Sequence, residues 1–332
     1  MVRWYIILLI LDLSTINNRN NKKMDFLGGM NMIEQPNYDL LAIGHLNHDY
    51  IINIDEFADL NASQNINELQ TYDGGTAANV ALGAAEFVPS AFYTIVGKDF
   101  IKTEYFQKLK NHDNCLAILE RIDDKTSTCF VITDNKSNQK SYIYNSASDK
   151  FLYLEVPKKY IDQAKIIHIT TVPPKFALKC AEYAHKQGIK VSFDPGQNLR
   201  LYNKTQIREM LGYVDFLFGN KYEIQHLYDN LNIRVLRDYN LIMVTTNGEA
   251  GSLIEQSSSS ESYFIPAFRT KAVDPTGAGD SYCGAFLAAY LEHSPLKECG
   301  QIASAVASFV VEKHGCQTNI PTREQVVERI AE

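Results

Sequence analysis

The segment Asp274-Pro275-Thr276-Gly277-Ala278-Gly279-Asp280 sets two glycines between two carboxylates, and small or apolar residues follow from Cys283 to Leu287. Gly277 and Gly279 can adopt positive φ and let backbone N–H groups converge at the start of a helix, where the macrodipole favours an anion. That is the make-up of a phosphate cradle. Asp280, on the first turn of the helix, would stand beside it and take the proton of a hydroxyl attacking a phosphoryl group. By itself the same text also describes a tight turn with Asp280 as an N-cap.

Two further stretches complement this one. Asp73-Gly74-Gly75-Thr76-Ala77-Ala78-Asn79 puts a glycine pair at another helix start and an amide, Asn79, among Ala and Val on a face expected to be buried. A buried amide needs partners. Asn79 is either a satisfied core amide or, with the Gly74 and Gly75 backbone, a ligand for vicinal sugar hydroxyls. The first strand of the pattern below runs into Gly44-His45-Leu46-Asn47-His48-Asp49, where Asp49 offers two oxygens to two adjacent hydroxyls. His45 and His48 have no third metal ligand near them in sequence, so a histidine metal site is not expected.

These residues need a frame, and periodicity supplies one. Strands are predicted at Leu40–Ile43, Ile51–Ile54, Phe92–Val96, Ile166–Ile169, Val191–Phe193, Phe216–Phe218 and Leu241–Thr245, with helices between them. The predicted helices are Ala77–Phe87, Lys175–Lys186 (closed by Gly188), Gly279–Leu291, Leu296–Lys313 and Thr322–Ala331. Alternation of this kind implies a mainly parallel sheet covered on both faces, with ligands at the carboxyl ends of its strands. One interval breaks the rule: Cys129–Thr133 and Ser141–Tyr144 are joined by a polar link, as in a hairpin. With Ile51–Ile54 and the run before Tyr72 they predict a small antiparallel sheet able to serve as a lid. No internal repeat of fixed period is found.

Composition narrows the class. The chain has 332 residues, 45% hydrophobic and 21% charged, enough for one large domain or two ordinary ones. A net charge of −7 offers no basic field for a nucleic acid backbone. No apolar run approaches the ~18–20 residues that span a bilayer. The six cysteines form no C-x-x-C pair; free thiols in a reducing, cytoplasmic setting are the simpler reading, although spacing leaves disulfides open. Trp4 to Leu11 is apolar, but Asp12 follows and no cleavage-site pattern comes next, so export is not expected. Residues 1–37 are expected to be an extension, disordered or upstream of the true start, that packs weakly or not at all. Residues 38–332 are expected to form the domain, with a lid from about 49–73 and 126–146.

Taken together, Gly74-Gly75 to Asn79 and Asp274 to Asp280 resemble the two signatures of the ribokinase, or phosphofructokinase-B, carbohydrate kinases, in the right order and separation. Asn220-Lys221-Tyr222-Glu223 resembles the N-x-x-E motif of that family, and Thr246-Asn247-Gly248 with Gly251 its T-x-G-x-x-G. The resemblance covers about Tyr38 to Glu332. Within the family the chain is most similar to archaeal-type broad-specificity nucleoside kinases, through Gly44-His45 with Asp49-Tyr50, Ser192-Phe193-Asp194-Pro195-Gly196-Gln197, and Ala307 to Glu312 leading to Gly315-Cys316-Gln317-Thr318-Asn319.

The resemblance implies a three-layer α/β/α sandwich with a β lid, and transfer of the γ-phosphate of ATP to the 5′-hydroxyl of a nucleoside such as cytidine, inosine, guanosine or adenosine. It implies Asp280 as the base and the amides of Gly277, Ala278 and Gly279 as the anion hole. Asn47, Asp49, Gly74, Gly75 and Asn79 would bind the acceptor; Asn220, Thr246, Gly248, Gly251 and Thr276 would bind ATP. Magnesium would be held largely through water and phosphate oxygens, with Asn220 and Glu223 in its outer shell. Asp274 and Thr276 match positions that ligate a monovalent cation, potassium, in some relatives. Family members are monomers or lid-sharing dimers. Asn47 with Asp49 also matches the N-x-D of ribokinases, so a sugar kinase acting on ribose, fructose or a sugar acid is the main alternative. A non-catalytic nucleotide-binding module is the remote one, and the first strand lacks the G-x-G-x-x-G of a dinucleotide enzyme.

Overall fold

The computed structural model describes residues 7–10, 37–136, 138–229, 231–259 and 261–332. The strands are β1 (Ile7–Ile10), β2 (Leu40–Ile43), β3 (Asn47–Ile54), β4 (Ile66–Gly74), β5 (Ser90–Gly97), β6 (Cys115–Ile122), β7 (Ser127–Asp134), β8 (Gln139–Tyr144), β9 (Ile166–Thr170), β10 (Lys190–Asp194), β11 (Phe216–Asn220), β12 (Ile242–Thr246), β13 (Ser252–Gln256) and β14 (Ser262–Ile265). Ten of them form one sheet in the order β1-β6-β5-β2-β9-β10-β11-β12-β13-β14. Its pairings are parallel from β1 to β12, and β13 and β14 close it antiparallel.

Why β2 reads as an uninterrupted apolar run is visible in its burial. Leu40 and Ala42 face one core and Leu41 and Ile43 the other, all fully buried, because helices cover both faces of a parallel sheet. One layer holds Pro174–Lys186 and Lys204–Leu211; the other holds Thr76–Ala85, Ala278–Leu291 and Leu296–Val310. Gly188, at φ +74, ends the Pro174–Lys186 helix as predicted. The predicted Leu296–Lys313 helix ends earlier, at Val310, and the chain turns toward Gly315, which has φ +84. Thr322 stands outside the last helix as its N-cap, in a capping box with Gln325.

Strand order reverses at β2, whose neighbours are β5 on one side and β9 on the other. A crevice opens outside the carboxyl ends of the strands at such a point. The Thr76–Ala85 and Ala278–Leu291 helices meet beside it at very short range: a Cβ on Gly284 would lie 2.0 Å from the Val80 carbonyl oxygen. Any side chain at 284 would push these two backbones apart.

The second sheet has the order β4-β3-β7-β8. It consists of two antiparallel pairs, β3 with β4 and β7 with β8, joined by a parallel pairing of β3 with β7. Ile7–Ile10, part of the expected extension, is an edge strand beside Ile118–Arg121 of β6, where a run of Ile and Leu suits a pleated edge. The remainder of residues 1–36 lies outside the described residues. The six cysteines are all free, and among the described residues no helix is long and apolar enough to cross a membrane.

Candidate active site

The chain after β2 runs directly into β3 through Gly44-His45-Leu46, and this brings Asp49 to the mouth of the crevice. Asp49 is 7% exposed. Asn47 donates to its Oδ1, and the Cys316 thiol lies 3.8 Å from its Oδ2. Gly74 makes room for this carboxylate, since a Cβ there would stand 2.1 Å from Oδ2. Burial pushes the Asp49 carboxyl up to about 7; its bonds to Asn47 and Cys316 oppose the rise, and the nearby charges of Asp274 and Asp280 add to it.

Gly277 occupies the left-handed region at φ +77 as the residue before the Ala278–Leu291 helix. A Cβ there would lie 2.1 Å from Cys316 Cβ. The Asp49 end of the site and the glycine loop thus both touch Cys316. Asp274, 7% exposed, fixes the loop from within. Its Oδ1 accepts from the Thr276 amide at 2.9 Å and its Oδ2 from the Gly315 amide at 3.0 Å. Of the amides expected to form an anion hole, that of Ala278 donates to the Pro275 carbonyl at 3.3 Å. Those of Gly277 and Gly279 have no partner among the described residues, as expected for a helix start open to an anion.

Asp280 is half-buried on that first turn. Asn79 Nδ2 donates to its Oδ2 at 2.8 Å, so the core-amide reading and the site reading of Asn79 meet in one contact. Burial pushes the Asp280 carboxyl up to about 7; the Asn79 bond opposes this and the charge of Glu223 adds to it.

Asn220 and Thr246 face each other in register at the carboxyl ends of β11 and β12. The N-x-x-E spacing is first of all a helix cap. Asn220 Oδ1 accepts from the Tyr222 and Glu223 amides at 2.9 and 3.0 Å, and Glu223 Oε2 accepts from the Asn220 amide at 2.7 Å. The charge of Glu223 also bears on both Asp194 and Asp280, raising their carboxyls. Gly248 and Gly251, at φ +54 and +90, shape an exposed turn after β12 that is closed by the Asn247 amide on the Gly251 carbonyl at 2.8 Å.

Asp194 lies in the stretch that resembles nucleoside kinases, and the sequence alone gives it no role. It ends β10, accepts from the Gly196 amide at 2.9 Å and lies 3.7 Å from the Cys283 thiol. Burial, Glu223 and Asp280 hold its carboxyl well above the usual range. An acidic residue at the carboxyl end of a predicted strand, followed by Pro-Gly, is the signal that marks it. Asp194, Glu223 and Asp280 thus raise one another's carboxyls, and mutually repelling carboxylates of this kind suit a divalent cation. Among the described residues no group of three His, Cys, Asp or Glu side chains could hold a metal directly. A cavity of about 860 Å³ adjoins the cleft at Tyr72, Tyr105 and Gln317.

With this geometry in hand, comparison with known proteins is specific. The family model described as pfkB family carbohydrate kinase matches residues 37–323. The chain is 42% identical over 296 residues to a nucleoside kinase of Methanothermobacter thermautotrophicus, covering 88% of this chain and 95% of that one. It is 38% identical over 296 residues to a nucleoside kinase of Methanocaldococcus jannaschii, covering 88% and 96%. The crystal structure of the M. jannaschii nucleoside kinase, described as an archaeal member of the ribokinase family, superposes with a TM-score of 0.82 at 36% identity, covering 90% of this chain and 99% of that one.

Proposed function

We infer the reaction from one premise: the chain belongs to the pfkB family of carbohydrate kinases, phosphotransferases that act on hydroxyl groups and use ATP. We propose that this member phosphorylates the 5′-hydroxyl of nucleosides, with cytidine, inosine, guanosine and adenosine as the range to be tested. What supports the reading is that Asp49 and the glycine loop ahead of Asp280 come together at Cys316, whose thiol lies 3.8 Å from Asp49 Oδ2 and whose Cβ would stand 2.1 Å from a Cβ on Gly277.

In this mechanism Asp49 accepts the two ring hydroxyls of the ribose and so aims the 5′-oxygen at the glycine loop. Asp280 has one oxygen bonded to Asn79 and takes the hydroxyl proton on the other. The 5′-oxygen bonds to the γ-phosphorus as the bridging oxygen to the β-phosphate leaves on ADP. The amides of Gly277 and Gly279 receive the charge on the transferred group, a contribution that needs no rearrangement at the moment of reaction. Asp194 and Glu223, with Asn220, would hold magnesium through water, and the ion would supply neutralisation of phosphate charge. Asn220, Thr246, Gly248 and Gly251 line the nucleotide end, and Asp274 with Thr276 is the potassium candidate.

The lid favours a nucleoside over a free sugar. Tyr72, Asp49, Cys129 and Ile143 are successive cross-strand partners and therefore share one face of it. A base needs such an apolar, partly aromatic wall, whereas a bare sugar would leave it facing hydroxyls. A panel of nucleosides and sugars with ATP and magnesium tests the proposal. Turnover of the four nucleosides is expected; turnover of ribose or fructose with none of the nucleosides rejects it.

A further inference from the structure

Gln317, half-buried on the loop that follows the Leu296–Val310 helix, donates through Nε2 to Asn79 Oδ1 at 2.8 Å and to Tyr105 Oη at 2.7 Å. The two protons of one amide nitrogen serve both bonds. Tyr105 Oη in turn donates to the Gly74 carbonyl at 3.1 Å, at the residue that makes room for Asp49. Asn79 and Tyr105 are 3% and 2% exposed, so water does not substitute for these partners.

The bond to Oδ1 decides which way round the Asn79 amide sits. With Oδ1 occupied, Nδ2 faces Asp280 Oδ2 at 2.8 Å. Turned over, Asn79 would set an NH2 against the NH2 of Gln317 and a carbonyl against the carboxylate of Asp280, leaving buried groups mismatched at both ends. We propose that Gln317 is a positioning residue for phosphoryl transfer, fixing the Asn79 amide so that Asp280 keeps one oxygen bonded and presents the other to the acceptor hydroxyl. The inference rests on the reading of Asp280 as the base.

The test is a pair of variants measured with nucleoside, ATP and magnesium. Gln317→Met keeps length and removes the donors. Its kcat is expected to fall ~10- to ~100-fold, and the acidic limb of its pH profile to move to higher pH as Asp280 loses an aligned donor. Combined with Asn79→Ala, it is expected to be no slower than Asn79→Ala alone, because it acts through that side chain. Gln317→Glu offers an acceptor instead and turns Asn79 over, setting its carbonyl against Asp280, so its acidic limb is expected at higher pH than that of the parent; it decides the matter if Gln317→Met does not fold. A Gln317→Met kcat within twofold of the parent with an unmoved limb, losses that multiply in the double variant, or a parent-like pH profile for Gln317→Glu overturns the proposal. Failure of the unsubstituted chain to phosphorylate any nucleoside removes the functional reading itself, which the parent assay reports separately.

Discussion

Asn79 and Asp280 stand 201 residues apart in the chain and 2.8 Å apart in the fold, joined by one hydrogen bond from amide to carboxylate. The contact exists because the helices carrying them cross at Gly284 and the Val80 carbonyl with no room for a side chain. It also bears on proton transfer. Asp280 must be ionised to act as a base, and in the free protein its carboxyl is pushed up to about 7, as is that of Asp49. The profile of kcat/KM against pH, which reports the free enzyme, should therefore lose activity as pH falls through about 7.

The same shift has a stability consequence. A carboxyl whose folded pKa exceeds its unfolded value favours the fold while protonated, and that contribution is lost as pH rises through the folded pKa. Asp280→Asn, neutral at every pH, should gain in melting temperature relative to the parent as pH rises from 6 to 8.5. Calorimetry at both pH values checks this; a difference that shrinks over that interval contradicts it.

Gly74→Ala tests the acceptor end. The added methyl would meet Asp49 Oδ2 at 2.1 Å, and overpacking of this kind costs ~1–3 kcal/mol. The KM for nucleoside should rise at least ~10-fold as Asp49 is displaced from the hydroxyls, while nucleotide affinity measured by calorimetry stays within about twofold of the parent.

Much of this arrangement was legible in the sequence, and what was not has physical causes. β2 and the central residues of β9 to β12 are buried on both faces and read as short, mainly apolar runs. β6 was not expected, because Glu120 and Arg121 interrupt it; Glu120 is in fact buried and accepts from Tyr93 Oη at 2.9 Å, a pairing no local pattern reveals. The β13–β14 hairpin escaped for a related reason, since both strands are short and flank a serine-rich link, Ser257 to Ser260, which leaves little apolar period. In the site, glycine spacing pointed to both loops because close backbone approach leaves a sequence trace. Gln317 stood only within a stretch of resemblance, and its role was not legible, since a polar residue on a loop acquires meaning only when Asn79 and Tyr105 close around it.

Glu223→Gln separates capping from metal chemistry. The glutamine oxygen can still accept from the Asn220 amide, so the helix start should hold, while the charge that bears on Asp194 and Asp280 disappears. The magnesium concentration for half-maximal rate should rise ~10- to ~100-fold, the range for outer-shell ligands. The acidic limb should move to lower pH, because removing a like charge eases ionisation of Asp280.

The most direct measurement is the single-turnover rate of Asp280→Asn with a nucleoside that the parent phosphorylates, alongside ATP affinity. Loss of the base predicts a fall of at least ~10²–10⁴-fold with nucleotide binding retained. Transfer at a rate near that of the parent would contradict the assignment of Asp280 and, with it, the mechanism.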